Sequence, residues 1–288
     1  SCRSYQQQST GESRVLFQDP EAFLAEIEEI AALGAEQLMA HWRALEPDQV
    51  NEKARNDLVS AADLASEEAI MGAIRSRFPE HSILSEEAGR STPTESGPTW
   101  IIDPLDGTTN FVHGIPQFAI SIGVAVEGRV DFGVILDPCK NDVFSAARGY
   151  GAQWTGATCR VSERASLSGA LLATGFPFKA HRLLDPYLAI YRDVYLRCKA
   201  VRRPGAAALD LAYTACGRFD GFFEFQLSTW DIAAGSVLVE EAGGVITGME
   251  GGSDYLESGN VVCGTAGVHR ELLEVVASHS DEWKKSLD

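Results

Sequence analysis

The sequence predicts a mixed protein in which a lobe of α+β character packs against a lobe of α/β character. Residues 118–138 alternate apolar side chains around a Glu-Gly-Arg turn, a pattern typical of an antiparallel hairpin. From about residue 165 onward, short apolar runs alternate with helical patterns, which favours an α/β arrangement. No internal repeat or low-complexity linker separates the two parts. We therefore expect the lobes to share an interface.

The first lobe begins with a helix that starts at Asp19 and Pro20 and extends to about residue 45, because Asp caps helices and Pro favours the first turn. Residues 47–60 are polar, and a second helix is predicted over about 63–77. Two short apolar runs then end in polar clusters, and residues 143–156 add another strand punctuated by glycine.

The second lobe is predicted as strands that alternate with helices. The predicted strands lie in 171–176, 200–203, 220–225, 243–247 and 260–264, and the predicted helices lie near 186–198, 206–216 and 232–241. The expected organisation is a disordered polar lead-in over 1–18, an α+β lobe over 19–160 and an α/β lobe over 161–288.

Charge excludes one class of partner. The chain carries 41 Asp and Glu against 24 Lys and Arg, a formal net charge of −17. Nucleic-acid binding depends on Lys and Arg that neutralise phosphates, so no nucleic-acid partner is expected. An acidic protein that acts on a phosphorylated substrate needs local cations, and metal ions supply them.

The six cysteines are scattered without a CxxC pair, and the six histidines form no HExxH motif. In a chain of this size the cysteine pattern predicts reduced, buried thiols in a reducing compartment and no disulfide framework or zinc site. No apolar run reaches the roughly 18 residues that a membrane span requires. We therefore expect a cytoplasmic protein with no membrane partner.

The stretch WIIDPLDGTTNF, residues 100–111, ends an apolar strand in two carboxylates. Asp103 lies at the carboxyl end of the strand, Pro104 fixes the backbone, and Asp106 can turn back with the Leu105 carbonyl between them. Two carboxylates and a carbonyl suit Mg²⁺, which prefers oxygen ligands. An Asx-capped turn is the alternative, and for an isolated DPxD it is the better one.

The residues after these aspartates suit an anion. Gly107 permits close backbone approach, amides at a helix start can hold phosphate oxygens, and the Thr108 hydroxyl can reach a water molecule. A threonine that merely caps the next segment is the alternative. Together with the two aspartates, the phosphate interpretation is favoured.

Other acidic residues recur where apolar segments end or helices begin. Glu86 and Glu87 follow a short apolar run, and a solvated loop is the alternative for that pair. Asp231 and Asp63 lie at helix starts, where helix capping is the alternative role. No Ser-His or Cys-His grouping competes with these carboxylates. The pattern as a whole favours a hydrolase that uses two metal ions on a phosphoester.

The segments WIIDPLDGTTNFVHG and WDIAAGSVLVEEAGG together resemble the inositol monophosphatase family. The resemblance runs from about residue 21 to residue 275, and SILSEEAG and LLATGFPFK are similar to its bacterial branch. It implies a Mg²⁺-dependent, lithium-sensitive phosphatase with two or three ions. It also implies a layered αβαβα sandwich of the sugar-phosphatase type, usually a homodimer.

The same resemblance implies roles for single residues. Glu86, Asp103 and the Leu105 carbonyl would hold one metal, and Asp103, Asp106 and Asp231 would hold another. Thr108, oriented by Asp63, would position the attacking water, and Glu86 belongs to the same catalytic set. The implied substrate contacts are the amides of Gly107 and Thr108, together with Ala207, Glu224 and Asp231. Glu87 would lie behind the metal ligands, and Lys53 on a mobile loop.

One position departs from the family pattern, because Ala206 follows Gly205 where a Ser or Thr is expected. The expected substrate is a polyol phosphate monoester, myo-inositol 1-phosphate. Fructose 1,6-bisphosphate, histidinol phosphate and 3′-phosphoadenosine nucleotides are the alternatives for the same chemistry. A non-catalytic binding or regulatory protein is the remaining alternative, and it would be expected to lack a metal ligand.

Overall fold

Five alternating layers of helices and strands make up the fold, which the computed structural model describes for residues 18–54, 57–91, 97–177 and 180–286. The predicted lead-in lies almost entirely outside these ranges. The helices are α1 Pro20–His41, α2 Ala61–Arg77, α3 Thr108–Val112, α4 Leu184–Tyr195, α5 Ala207–Ala215, α6 Thr229–Glu241, α7 Tyr255–Ser258, α8 Ala266–Ser278 and α9 Ser280–Lys285. Among the described residues, none of these helices combines the length and apolarity needed to span a membrane.

The first outer layer contains α1 and α2. The Asp19 carboxylate accepts a hydrogen bond from the Ala22 amide at 3.0 Å, which confirms the predicted cap. Helix α2 begins two residues before the predicted start, because Ser60 is its cap. Both helices bury apolar side chains such as Ile30 and Ile74 against the neighbouring sheet.

The second layer is an eight-stranded sheet. Its strands are β3 Ser82–Ser85, β4 Gly89–Ser91, β5 Thr99–Asp106, β6 Ala119–Val126, β7 Arg129–Asp137, β8 Asp142–Ala147, β9 Gly151–Trp154 and β10 Ala157–Cys159. They lie in the order β10-β9-β8-β7-β6-β5-β3-β4. The predicted hairpin is confirmed as β6 and β7, and the predicted strand over 143–156 is two strands, β8 and β9. The polar segment over 47–60 carries an unforeseen hairpin, β1 Val50–Ala54 with β2 Asp57–Ser60.

The third layer contains α5 and α6, which pack between the two large sheets. Helix α6 approaches β6 and β7 closely, since a Cβ atom added to Gly133 would lie 2.5 Å from the Ala234 carbonyl oxygen. A Cβ atom added to Gly123 would lie 2.9 Å from the Ala233 Cβ atom. The two glycines therefore permit the close packing that brings the start of α6 to the edge of β5.

The fourth layer is a five-stranded sheet in the order β12-β11-β13-β15-β14, and α4, α8 and α9 cover its outer face. Its strands are β11 Leu171–Thr174, β12 Ala200–Arg202, β13 Gly221–Glu224, β14 Val245–Thr247 and β15 Val261–Gly264. The outer helices bury Tyr187, Ile190 and Leu272 against it. The layered αβαβα sandwich expected from the sequence is confirmed.

The cysteine prediction is wrong for one pair, because Cys159 and Cys216 form a disulfide. These residues are 57 positions apart, yet their Cα atoms lie 4.9 Å apart, where the end of β10 meets the end of α5. Sequence spacing carries no signal for a pair that only the packing brings together. Of the thiols in the described residues, Cys263 is buried, whereas Cys139 and Cys198 are partly exposed.

Candidate active site

The site begins at the shared edge of two parallel strands. Strands β3 and β5 are parallel, so their carboxyl ends meet, and the Glu86 amide donates to the Ile102 carbonyl at 3.2 Å. A bulge then interrupts β5, because Asp103 and Asp106 pair with Ser121 and Ala119. An interval of three residues on β5 therefore lies opposite an interval of two residues on β6. In a regular strand residues three apart face opposite sides, and the bulge brings both aspartates to one side.

The two aspartates meet a third at the start of α6. Asp103, Asp106 and Asp231 each offer a carboxylate oxygen, and these oxygens all lie within 4.8 Å of one another. Asp103 accepts from the Leu105 amide at 3.0 Å, and Asp106 accepts from the Ala208 amide at 2.7 Å. The Ser228 amide donates to Asp231 at 2.7 Å. Each carboxylate is thus held by backbone N–H while it faces the others.

This arrangement is electrostatically unfavourable without a cation. Burial, then repulsion by Glu86 and neighbouring aspartates, raises the pKa of Asp103 well above its usual range. Burial and the charge of Asp231 likewise raise the pKa of Asp106. A buried cluster of oxygen donors fits a hard cation such as Mg²⁺, and the Leu105 carbonyl and Glu86 lie on the same cavity wall. Glu86 does not belong to the set of three whose oxygens lie within 4.8 Å.

A hydroxyl and a buried carboxylate lie beside the cluster. Thr108 Oγ1 lies 2.9 Å from Asp63 Oδ1 and 3.1 Å from the Leu105 carbonyl oxygen. The other Asp63 oxygen, Oδ2, accepts from the Ser60 amide at 2.9 Å and from its hydroxyl at 2.6 Å. Burial raises the pKa of Asp63 to about 6, against the opposing effect of these hydrogen bonds. Asp63 therefore both caps α2 and orients Thr108.

Glu67, a residue that sequence analysis did not identify, holds the turn that carries Glu86. One oxygen of the buried Glu67 carboxylate accepts from the Glu87 amide at 3.1 Å, from the Ala88 amide at 3.0 Å and from the Ser85 hydroxyl. Glu67 lies one helical turn after Asp63 on α2, and that spacing was the available signal.

These groups surround a cavity of about 290 Å³. The sequence-predicted residues on its wall are Glu86, Asp103, Leu105, Asp106, Gly107, Thr108, Ala207, Glu224 and Asp231. Asp63 reaches the cavity only through Thr108. Glu87 does not line it, and the Lys53 side chain lies outside the described part of the structure.

Another part of the cavity wall comes from β13 and from the segment before α5. Glu224 is buried, and burial raises its pKa to about 8 against the opposing charge of Arg203. Gly175 packs directly on this carboxylate, since an added Cβ atom would lie 1.9 Å from Glu224 Oε1. Asn110 Nδ2 donates to the Pro204 carbonyl at 3.0 Å and thereby links the Thr108 helix to this wall.

Two charged wall residues, Arg203 and Asp210, were not predicted from the sequence. Asp210 lies three residues after Ala207 on α5, so helical periodicity places both on one face. Ala206 is buried at the start of α5, without a side-chain hydrogen bond to cap the helix. Its missing hydroxyl leaves Asp210 as the polar side chain that α5 presents to the cavity.

An αβαβα sandwich with a carboxylate cluster at the bulged end of a central strand defines the class of sugar-phosphatase-type folds. The sequence model of the inositol monophosphatase family matches residues 19–284, and the chain belongs to that family. The protein named Nus factor SuhB from Pseudomonas aeruginosa is 47% identical over 234 residues, which cover 80% of this chain and 86% of the relative.

Two solved structures have the same fold. The extragenic suppressor protein suhB from Bartonella henselae is 38% identical, with a TM-score of 0.86, and the match covers 88% of this chain and 98% of that one. Inositol monophosphatase from Anabaena is 36% identical, with a TM-score of 0.80, and the match covers 90% and 97% of the two chains.

Proposed function

We propose that the protein hydrolyses a polyol phosphate monoester, myo-inositol 1-phosphate, in a Mg²⁺-dependent reaction. The observation that carries this proposal is the set of three clustered carboxylates beside the Thr108–Asp63 hydrogen bond. Asp103, Asp106, Asp231, Glu86 and the Leu105 carbonyl would hold two or three ions. When bound, Mg²⁺ supplies positive charge that lowers the pKa of water and offsets the negative charge that develops on phosphate and leaving oxygen.

The residues of the chain then orient the nucleophile. The Thr108 hydroxyl donates a hydrogen bond to Asp63, so its oxygen can accept a hydrogen bond from the attacking water. As the water attacks, its proton passes to Thr108 and the hydroxyl proton of Thr108 passes to Asp63. Asp63 is fixed at its other oxygen by Ser60, which keeps the acceptor oxygen directed at Thr108. A carboxylate with a pKa near 6 suits this role at neutral pH, because it is ionised but still basic.

Other residues bind the substrate. The amides of Gly107 and Thr108 begin α3, and the first amides of a helix have no partner within it, so they suit phosphate oxygens. The φ angle of Gly107 is +93°, which glycine adopts without strain. Glu224 would accept a hydrogen bond from a substrate hydroxyl, the Ala207 backbone would contact the polyol, and a water molecule would protonate the departing alkoxide.

The decisive experiment replaces one carboxylate of the cluster. Asp103→Asn is expected to abolish Mg²⁺-dependent phosphate release from myo-inositol 1-phosphate, whereas Asp185→Asn, at an exposed position of α4, should leave it unchanged. Near-normal activity of Asp103→Asn would refute the proposal.

A substrate panel separates the alternatives within this chemistry. Phosphate release is measured with myo-inositol 1-phosphate, fructose 1,6-bisphosphate, histidinol phosphate and a 3′-phosphoadenosine nucleotide, with and without Mg²⁺. A carboxylate such as Glu224 accepts from hydroxyl or amine but does not stack on a base, so the nucleotide should be the poorest substrate. Equal slow rates on all four would contradict the inositol assignment and leave the reaction class standing.

The name Nus factor, carried by the relative from Pseudomonas aeruginosa, refers to a factor and not to a reaction. A non-catalytic role would remove the need for metal ligands, yet every predicted ligand is present in this chain. This supports catalysis. We also propose a cytoplasmic homodimer that Li⁺ inhibits, and light scattering and inhibition assays test the last two statements.

A further inference from the structure

Asp210 is a buried acidic residue whose carboxyl group is not fully hydrogen-bonded within the described structure. Its side chain is 1% exposed, and its Oδ1 atom has no hydrogen-bond partner among the described residues. Leaving a buried polar atom unpaired costs about 1–3 kcal/mol, and charged groups cost more. Buried polar atoms in native proteins are almost always paired, so this exception requires an explanation.

The position of Asp210 indicates what could satisfy it. Asp210 lines the same cavity as the carboxylate cluster. On α5 it lies three and four residues after Ala207 and Ala206, which also line the cavity, so one face of the helix forms this part of the wall. A molecule in the cavity is therefore within reach of this carboxyl group.

The surroundings of Asp210 define the chemistry of that molecule. The charged groups that act most strongly on the Asp210 carboxyl group are Glu224, Asp106 and Arg203. Two carboxyl groups, Asp210 and Glu224, thus face the cavity with one guanidinium. A carboxyl group accepts hydrogen bonds whether or not it is ionised, and ammonium or hydroxyl groups donate them, so this wall fits a ligand that carries several donors.

The alcohol part of the substrate is the group that would meet this wall. Asp103, Asp106 and Asp231 form the cluster beside which the proposed reaction requires the phosphate, and Asp210 and Glu224 are further acidic groups on the same cavity wall. Ala206, at the start of α5, offers no side-chain group that could form a hydrogen bond. Asp210, one turn further along α5, is a polar group that can take over contact with the alcohol.

We propose that Asp210 is a specificity-determining residue that, together with Glu224, accepts hydrogen bonds from donor groups on the leaving alcohol, so that the enzyme selects phosphate monoesters of polyols over those of simple alcohols. The inference rests on the proposed function, since it assigns the part of the substrate that leaves. It adds a second acceptor to the wall, next to the one that the family resemblance implies.

The test compares three phosphate esters that share one six-membered ring. Myo-inositol 1-phosphate and cyclohexyl phosphate differ by the five free hydroxyl groups, and 2-aminocyclohexyl phosphate adds a single amine donor to the latter. The quantity measured is kcat/KM for each ester with the Mg²⁺-loaded enzyme. A higher kcat/KM for 2-aminocyclohexyl phosphate than for cyclohexyl phosphate would show that a single ammonium donor is recognised.

Three variants separate recognition from stability. Asp210→Ala should lower kcat/KM for myo-inositol 1-phosphate by about tenfold or more, mainly through KM, because a hydrogen bond to the substrate is lost. It should leave cyclohexyl phosphate nearly unchanged. Asp210→Asn keeps an acceptor and should recover part of the loss. Thr214→Val is the control for a local disturbance of the helix, since the buried Thr214 hydroxyl donates to the Asp210 backbone carbonyl at 2.8 Å and does not line the cavity.

The outcomes are distinct. If Asp210→Ala lowers kcat/KM equally for myo-inositol 1-phosphate and cyclohexyl phosphate, or for neither, the role of Asp210 is overturned. This holds even where the wild-type protein is an active phosphatase. Failure of the wild-type protein to hydrolyse any of the esters refutes the proposed function itself. If Asp210→Ala does not fold, the ratio of kcat/KM values for Asp210→Asn decides, because a purely structural role would not change that ratio.

Discussion

At the scale of single residues, three carboxylates of the site accept hydrogen bonds from backbone amides at helix starts. Asp106 and Asp231 use one oxygen to accept from the backbone at a helix start, and Asp63 does the same at the start of α2. From the sequence, helix capping is the alternative to a role in the site for both Asp63 and Asp231. The structure contains the caps, and they leave the second oxygen directed at the site, so the two roles are compatible.

Thr108 offers a test of nucleophile orientation. Thr108→Val removes the hydroxyl that donates to Asp63 but keeps the β-branched shape, so kcat should fall by roughly 10²–10⁴-fold, the usual contribution of general-base catalysis. KM should change little, because the hydroxyl acts on water. Steady-state kinetics with myo-inositol 1-phosphate measure both constants. Thr108→Ser restores the hydroxyl and should recover most of kcat. A kcat for Thr108→Ser as low as that of Thr108→Val would contradict the assigned role.

Glu224 predicts how stability depends on pH in the metal-free protein. Its pKa is about 8 in the folded state and near 4.5 when unfolded, so the unfolded state loses its proton first as the pH rises. The contribution of Glu224 to stability is full below about pH 4.5 and is lost as the pH rises through 8. Glu224→Gln should therefore be more stable than wild type at pH 8 and show a flatter pH dependence.

Urea unfolding from pH 5 to pH 9 in the presence of a chelator measures this difference. Glu163→Gln, at an exposed position, is the matched control and should follow the wild-type curve. Identical slopes for wild type and Glu224→Gln would show that this carboxyl does not titrate as described.

At the scale of elements, local patterns identified most helices and strands, because apolar periodicity and helix caps are short-range signals. They did not identify the β1–β2 hairpin, whose sequence is polar, or the helices α8 and α9. The DPLD segment shows the limit well. Its residue types predicted a ligand turn, but the bulge that aligns Asp103 with Asp106 depends on pairing with β6, which lies outside the segment.

Glu67 tests how one element supports another. Glu67→Ala removes the acceptor for two amides and one hydroxyl of the turn after β3, so Glu86 should be held less firmly. We expect metal affinity to fall by about 10–100-fold, as is typical when groups that orient metal ligands are removed. Calorimetric titration with Mn²⁺ measures the affinity directly. Glu68→Ala, at the adjacent exposed position, is the control and should bind as wild type.

Circular dichroism should show that Glu67→Ala keeps its secondary structure. Glu67→Gln retains an acceptor oxygen, so its affinity should lie between those of the Ala variant and wild type. An unchanged affinity for Glu67→Ala would mean that the turn is rigid without this carboxylate.

At the scale of the whole molecule, the site draws on four of the five layers. Asp63 comes from an outer helix, Asp103 from the large sheet, Asp231 from a middle helix and Glu224 from the small sheet. The family resemblance transferred these positions from the sequence because its motifs are specific. It did not identify Asp210, Glu67 or the disulfide, because the role of each depends on burial and contacts that exist only after folding.

The disulfide predicts a difference in global stability. Cys159 and Cys216 close a long loop, so the bond restricts the unfolded chain, and Cys216→Ser should lower the free energy of unfolding by about 2–4 kcal/mol. Urea denaturation measures the change. Reductant should destabilise the wild-type protein and leave Cys216→Ser unaffected, with Cys198→Ser as the thiol control. A wild-type curve that does not respond to reductant would contradict the contribution of this bond.

The backbone bonds that hold the carboxylates also bear on the speed of ion capture. Asp103, Asp106 and Asp231 each accept a hydrogen bond from a backbone amide. The protein then has little rearrangement to complete during binding, whereas Mg²⁺ gives up its hydration water reluctantly. If the cluster binds Mg²⁺ as proposed, we therefore expect the loss of water from the ion to limit the rate of loading.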